Sequence, residues 1–508
     1  MNIIDIVENN AYLFKDSVAV IDAAVDKSIS YQELWSKTDA VAYGLISLGI
    51  SKGDRVALCL PNGAEFIISY FAVLKIGAIV VPFNPILKCN EVRSILENSL
   101  AKAIIMAGDE IRKKIMPIRE GLPHLQHIIA EGNQEEGCGH ISFNGWLLSR
   151  KHTPATHLQD DQPAAIHYTS GTTGQMKGAV LSHNNIAANA LINGHYLLGL
   201  NDQDRVLGLS PFCHVYFFQV VLGPLCVGSC AVSLPRSSPK LALAAIEKYR
   251  VTHLSTVPTM FRYLLQQYQE SRYDVSSWRV AGSAASGITI DLINEIQSVF
   301  KVDFFETFGC TEVSSTITYT RLRHPKCGSV GMPAHGYQVK LVNDKGAEVP
   351  QGEVGEIIVK GPGVFSGYWG LPELTKSAFT PDGWFKTGDL AHQDRDGYLY
   401  VAGRIKDVII SGGFNIYPRD IEETLLAHPN IADAVVIGKP HKDLGEVPVG
   451  YVILKPGVTL NENEIIDFCR HRLAKYKVPR GIKFESDFPR TASGKVQKAL
   501  FKEEIKLV

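Results

Sequence analysis

The stretch Tyr168-Thr169-Ser170-Gly171-Thr172-Thr173-Gly174-Gln175-Met176-Lys177-Gly178 decides how this chain is read. It brings four Ser/Thr hydroxyls, three glycines and one lysine into a single short segment. Glycine lets the backbone approach a bulky anion with its amides turned inward, hydroxyls add donors, and Lys177 adds a full positive charge. Taken alone, the segment has two readings: a cradle for a polyphosphate, or a Ser/Thr/Gly-rich surface hairpin. A GxxxxGK[ST] loop opening a helix is excluded. Lys177 is followed by Gly178, and Ala179-Val180-Leu181 has the pattern of a strand.

Outward from this segment, strand-like apolar runs alternate with amphipathic segments, an α/β pattern. Ser30 and Glu33 form a capping box opening a helix, with Leu34, Val41, Leu45 and Leu48 on its apolar side and Gly49 ending it. Strands are expected at residues 56–60, 103–106, 164–168, 205–209, 230–234 and 253–257, with a helix over 65–76. After about Gly328, short strands and Gly/Pro turns predict an antiparallel β subdomain. The texture changes again near Gly403-Arg404-Ile405-Lys406-Asp407, beyond which about a hundred residues read as a separate α+β unit. That unit has expected strands at 434–437, 449–454 and 482–485, and a helix opened by the Asn461/Glu464 capping box.

At 508 residues the chain exceeds what one hydrophobic core usually supports, so two or more domains are expected. A net charge of −1 without a basic block gives no sign of nucleic-acid binding. Nine dispersed cysteines fit reduced thiols in a cytoplasm, and Cys213 and Cys310 read as core-filling side chains. No secretory signal is evident in residues 1–10. The longest apolar stretch, Phe66 to Val81, is broken by Lys75 and Gly77 and closed by Pro82; it predicts a buried helix and strand, not a membrane span.

Four further motifs follow the hydroxyl-rich segment. Glu306-Thr307-Phe308-Gly309-Cys310-Thr311-Glu312 offers an aromatic plane, a glycine and a carboxylate. Thr387-Gly388-Asp389 sets a carboxylate after a glycine turn, Arg404 opens a charged junction, and Lys495 stands in Pro489-Arg490-Thr491-Ala492-Ser493-Gly494-Lys495. Each is weak alone. Together and in this order they resemble the adenylate-forming superfamily of acyl-CoA and aryl-CoA synthetases, peptide-synthetase adenylation domains and beetle luciferases. The resemblance runs from roughly Ile29 to Val496.

The resemblance implies an N-terminal domain over 1–403 made of two α/β subdomains and a β subdomain, a hinge at 404–406, and a small mobile α+β domain over 407–508. It implies ATP, Mg²⁺ and CoA as reaction partners. A carboxylate would attack the α-phosphorus of ATP, releasing pyrophosphate, and a thiol would then displace AMP. Thr169, Ser170, Gly171, Thr172, Thr173, Gly174 and Lys177 would hold the β- and γ-phosphates. Phe308 would lie against the adenine or its neighbouring pocket wall, Gly282, Ser283 and Ala284 would line the other side of the adenine, and Glu306, Thr307 and Gly309 would also belong to the ATP site. Phe308 stands where the family usually has tyrosine. Thr311 would touch the α-phosphate, Glu312 would ligate Mg²⁺, and Asp389 and Arg404 would hold the ribose. Lys495 would place its ammonium between the attacking carboxylate and the α-phosphate. Lys406 aligns with the hinge residue, and Ser411, Gly412, Gly413 and Phe414 would border the pantetheine channel after domain rotation.

The acyl pocket should be bordered by His214, Tyr216, Phe217 and Thr307. His214 resembles the family's gating residue; a buried structural histidine is the other reading. No aspartate is present here to pair with an amino-acid ammonium. Malonate-activating relatives have arginine at the position of Thr307. The apolar and aromatic lining suits a fatty or aryl tail, with a fatty acid of medium to long chain expected. A carrier-protein phosphopantetheine in place of CoA is the alternative acceptor.

Overall fold

The computed structural model describes residues 1–132, 140–148, 153, 156–170, 176–322, 325–490 and 496–506. Among these residues, two large sheets stand side by side, followed by a small antiparallel sheet and a separate C-terminal sheet. The first sheet has eight strands. Ile79–Pro82, Arg55–Cys59, Ala103–Ala107, His127–Glu131 and Ile141–Ser142 run parallel within it. The hairpin Pro163–Ser170/Met176–Ser182 and the short strand Gly367–Tyr368 extend its other edge. The second sheet has nine strands, with Arg205–Gly208, Cys230–Ser233, His253–Thr256, Val280–Ser283 and Asp303–Phe308 parallel at its centre.

One apolar cluster joins the two, drawing Val56 and Ala165 from the first sheet and Val206 and Val280 from the second. The helix Ala64–Lys75 lies inside that cluster and is buried at every position but Glu65, as an all-round apolar helix must be. Its last residue, Lys75, is buried too, and its ammonium meets Asp39 at 2.6 Å and lies 4.2 Å from the centre of the Trp35 ring. A charge at that depth requires such partners. The apolar stretch around it is therefore core, and no helix among the described residues is long and apolar enough to cross a membrane.

The β subdomain is the four-stranded sheet Gln338–Val342, Gly355–Lys360, Phe385–Gln393 and Leu399–Arg404. From residue 409 onward the strands pair only among themselves within the described residues. Here the long hairpin Ile431–His441/Gly445–Leu454 carries an apolar cluster on each face. Both capping boxes read from the sequence are present, at Ser30/Glu33 and Asn461/Glu464. Two short π-helical turns, Ile192–Leu197 and Phe218–Leu222, were not anticipated.

Candidate active site

In a parallel α/β sheet the ligand crevice lies beyond the carboxyl ends of the strands. Here Thr256, Ser283 and Glu306 stand level at those ends. Gly282 must be glycine, because a Cβ there would come within 2.1 Å of the Phe305 ring. Ser283 is buried and its hydroxyl has no hydrogen-bond partner among the described residues, so the segment Gly282-Ser283-Ala284 offers an unspent donor. The Glu306 carboxylate accepts from the Gly328 N–H at 2.8 Å, and burial raises its pKa from the ordinary 4.5 to about 7.

The described ends of the hydroxyl-rich segment lie on two paired antiparallel strands, in which Thr169 faces Lys177 and Ser170 faces Met176. Gly171, Thr172, Thr173 and Gly174 lie outside the described residues. The ammonium of Lys177 rests 5.7 Å from the centre of the Tyr368 ring. The Tyr368 hydroxyl donates to Glu312 Oε1 at 2.9 Å. Thr311 and Glu312 belong to a single 3₁₀ turn, Thr311–Val313, that follows Gly309 and Cys310. A Cβ at Gly309 would stand 1.5 Å from the Ser315 carbonyl oxygen, so no other residue fits. Phe308 is half-buried and packs against the apolar cluster of the β subdomain.

Asp389 and Arg404 are register partners on adjacent antiparallel strands, and Arg404 Nε donates to Asp389 Oδ1 at 3.0 Å. Asp389 is buried, and its charge raises the pKa of Arg404 further. The Cys310 thiol is pushed well above its ordinary range by burial, then by Glu312 and Asp389. A raised thiol is a poor nucleophile. Burial likewise raises Cys213.

At the proposed acyl pocket, His214 sits in a tight turn; its N–H donates to the Pro211 carbonyl at 3.1 Å, and its own carbonyl accepts from Phe217 at 2.9 Å. Tyr216 donates to the Ser255 carbonyl, and Gln219 Nε2 reaches Ser255 Oγ at 3.4 Å. Phe217 is fully buried, packed against Phe66, Tyr70 and Phe212. Its ring is committed to the core between the sheets. Thr307 is buried and spends its hydroxyl on the Thr318 carbonyl at 2.8 Å.

Lys177 and Glu312, more than a hundred residues apart in sequence, are linked through Tyr368, whose short strand pairs with Met176–Ser182. Residues 7–369 match the AMP-binding enzyme family, and residues 420–495 match the AMP-binding enzyme C-terminal domain. The chain belongs to the AMP-binding enzyme family. It is 32% identical to the long-chain-fatty-acid–CoA ligase of Bacillus subtilis (strain 168), covering 98% of this chain and 94% of that protein. It is 33% identical to the medium-chain fatty-acid–CoA ligase of Escherichia coli (strain K12), covering 98% and 89%. An anthranilate CoA ligase crystallised with anthranoyl-AMP superposes over 100% of this chain and 98% of its own, with a TM-score of 0.93 and 30% identity.

As a member of this family the chain is an AMP-forming acid–thiol ligase, an ATP-dependent acyl-CoA ligase using Mg²⁺ and CoA. The residues present fit the metal. Among the described residues no group of three or more His, Cys, Asp or Glu side chains forms a cage. Glu312 offers a hard oxygen at Tyr368, which Lys177 also approaches, and Mg²⁺ characteristically takes one or two carboxylates together with substrate phosphates. Glu312 would hold the ion, which would supply neutralisation of phosphate charge there.

The remaining expected residues belong to the C-terminal part. Lys406 lies in the short turn Ile405–Asp407, and its carbonyl accepts from Lys502 Nζ at 3.4 Å. Ser411 and Phe414 close a hairpin whose Gly412 and Gly413 both have positive φ, 56° and 84°. Phe414 is exposed and stacks on Tyr476 at 4.7 Å, so this hairpin faces solvent. Lys495 lies outside the described residues. The flanking chain is pinned by a bridge between Arg490 and Val496 and by the Gln497 N–H to the Pro489 carbonyl at 2.8 Å. Sequence reasoning missed Tyr368, although an aromatic pair between glycines in Gly367-Tyr368-Trp369-Gly370 marks a rigid feature in a turn.

Proposed function

We propose that the chain activates a monocarboxylic fatty acid of medium to long chain, through an acyl-adenylate, for transfer to CoA. The observation that carries this reading is Thr307: its hydroxyl is already engaged by the Thr318 carbonyl, and at the position expected to border the acyl pocket it offers no cation to a second carboxylate. A dicarboxylate would bury an unpaired charge there. The segment from Tyr216 to Leu222 carries no charged side chain, which suits an apolar tail. The names of the two bacterial fatty-acid ligases support the same class of acid.

In this reading the acid's carboxylate oxygen attacks the α-phosphorus, and a P–O bond forms as pyrophosphate leaves with its bonding pair. Lys177, together with Thr169, Ser170, Gly171, Thr172, Thr173 and Gly174, holds the departing phosphates. Thr311 orients the α-phosphate, Glu312 holds the metal, and Asp389 and Arg404 fix the ribose. His214 bounds the carboxylate, and Lys495 stabilises the charge gathered between carboxylate and phosphate. The small domain, 407–508, then turns at Lys406 so that Ser411–Phe414 admits the thiol, whose sulfur attacks the acyl carbon and expels AMP. A panel of carboxylic acids assayed for pyrophosphate release with and without CoA tests this. Saturated acids of medium to long chain should give the highest kcat/KM; a preference for aryl acids or dicarboxylates would replace this assignment.

A further inference from the structure

The turn that carries Thr311 and Glu312 ends in two consecutive non-glycine residues with positive φ, Ser314 at 60° and Ser315 at 104°. Such conformations cost free energy and persist only where the surroundings over-determine them. Here the surroundings are a fully buried polar network. Asn189, with no exposed surface, shares the two N–H donors of Nδ2 among the carbonyls of Val313 at 3.2 Å and Thr316 at 3.0 Å and Tyr337 Oη at 3.1 Å. Its Oδ1 accepts from the Thr316 N–H at 3.4 Å and from Asn193 Nδ2 at 2.8 Å. Asn193 Oδ1 in turn accepts from Thr316 Oγ1 at 2.8 Å.

Tyr337 passes its own proton to the Val313 carbonyl at 3.0 Å, so the same carbonyl is gripped twice. Ser314 Oγ donates to the Gly363 carbonyl at 2.9 Å, and the Glu312 carbonyl accepts from the Phe365 N–H at 2.8 Å. A Cβ on Gly363 would stand 2.0 Å from Tyr337 Oη, so the packing leaves the network no slack. Asn189 is the hub: one amide meets both ends of the strained segment 313–316, and it comes from the helix His183–Leu191 that directly follows the phosphate hairpin.

We propose that Asn189 is a positioning residue for magnesium–ATP: it holds the turn in its strained form and so fixes where the Glu312 carboxylate stands relative to the phosphate hairpin. The inference rests on the reading that Glu312 holds the metal. An aspartate at 189 keeps the shape and the acceptors but cannot donate to Val313 or Thr316. Phenylalanine at 337 removes one of the two donors to Val313 while leaving the ring in place.

The test is calorimetric titration of the full-length protein with ATP, without acid, over a range of Mg²⁺ concentrations, alongside circular dichroism and thermal unfolding. In the parent, ATP affinity should rise with Mg²⁺. In N189D the Mg²⁺ concentration giving half of that rise should increase about tenfold or more, as is usual when an outer support of a metal ligand is lost. Affinity for ATP without Mg²⁺ should stay within about twofold. Y337F should move in the same direction by a smaller factor, and it decides the matter if N189D does not give the parent's dichroism. A purely structural role would lower the unfolding temperature and leave the Mg²⁺ dependence untouched; folded variants with the parent's Mg²⁺ curve overturn the proposal. A parent protein whose ATP affinity ignores Mg²⁺ would remove the Glu312 reading itself, and this inference with it.

Discussion

The Tyr368 hydroxyl donates to Glu312 Oε1 at 2.9 Å while the Lys177 ammonium rests 5.7 Å from the centre of the same ring. One tyrosine, on a two-residue strand added to the edge of the first sheet, thus ties the strand that carries Lys177 to the carboxylate of a turn between two strands of the second sheet. Removing its hydroxyl leaves the ring to pack and frees one lobe of the Glu312 carboxylate. Y368F should lower the adenylation rate between about tenfold and about 150-fold, the range expected for one hydrogen bond to a charged group. Unchanged ATP–pyrophosphate exchange in Y368F would show that the contact does not orient Glu312.

Asp389 is buried with Arg404 donating to it at 3.0 Å, an arrangement that fixes the orientation of the carboxylate. D389A should raise the KM for ATP about tenfold or more through loss of charge-assisted hydrogen bonds, with little change in the KM for the acid. The discriminating control is ATP lacking a ribose hydroxyl. The parent should discriminate against it and D389A should not; equal discrimination by both proteins argues against ribose recognition by Asp389.

Glu306 provides the pH prediction. Its folded-state pKa is raised by burial from 4.5 to about 7, so the folded protein retains a proton that the unfolded chain has released. The resulting stability is fully present below pH about 4.5 and is lost as pH rises through about 7. E306Q keeps an acceptor for the Gly328 N–H and carries no titrating group. It should match the parent near pH 4.5 and exceed it by up to ~3 kcal/mol at pH 8. Parallel unfolding curves across that interval would place the carboxyl in an ordinary environment.

Features set by local rules were legible in the sequence. The Ser30/Glu33 and Asn461/Glu464 capping boxes start their helices as read, and Lys177-Gly178 followed by Ala179-Val180-Leu181 forms the predicted strand. The order of motifs identified the α/β fold and the ATP chemistry. What remained hidden depends on long-range packing. Val18–Asp22 joins the second sheet beside Cys230–Ser233, more than two hundred residues away, and nothing in its own five residues encodes that choice. Asn189 and Tyr337 are single polar residues in ordinary contexts, and only burial in a shared network distinguishes them from solvated side chains. Phe217 shows the same limit. Its ring packs with Phe66 and Phe212 in the core, a partnership that its own sequence neighbourhood does not encode.

Lys406 lies between the last strand of the β subdomain and the C-terminal sheet, with its carbonyl held by Lys502 from the helix Lys498–Lys506. A residue that must change backbone angles between two domain orientations tolerates proline poorly, because the ring fixes φ. K406P should impair adenylation and thioester formation to different extents. Isotope exchange into ATP and transfer from a supplied acyl-adenylate to CoA measure the two halves separately, and equal losses would speak against a hinge at this position.

The most direct test of the whole account is the K495A variant in ATP–pyrophosphate exchange driven by a fatty acid. Exchange should fall by about 10²–10³, as for loss of a comparable transition-state donor, while a supplied acyl-adenylate is still converted to the thioester at close to the parent rate. An alanine variant that forms the acyl-adenylate at the parent rate would contradict the account.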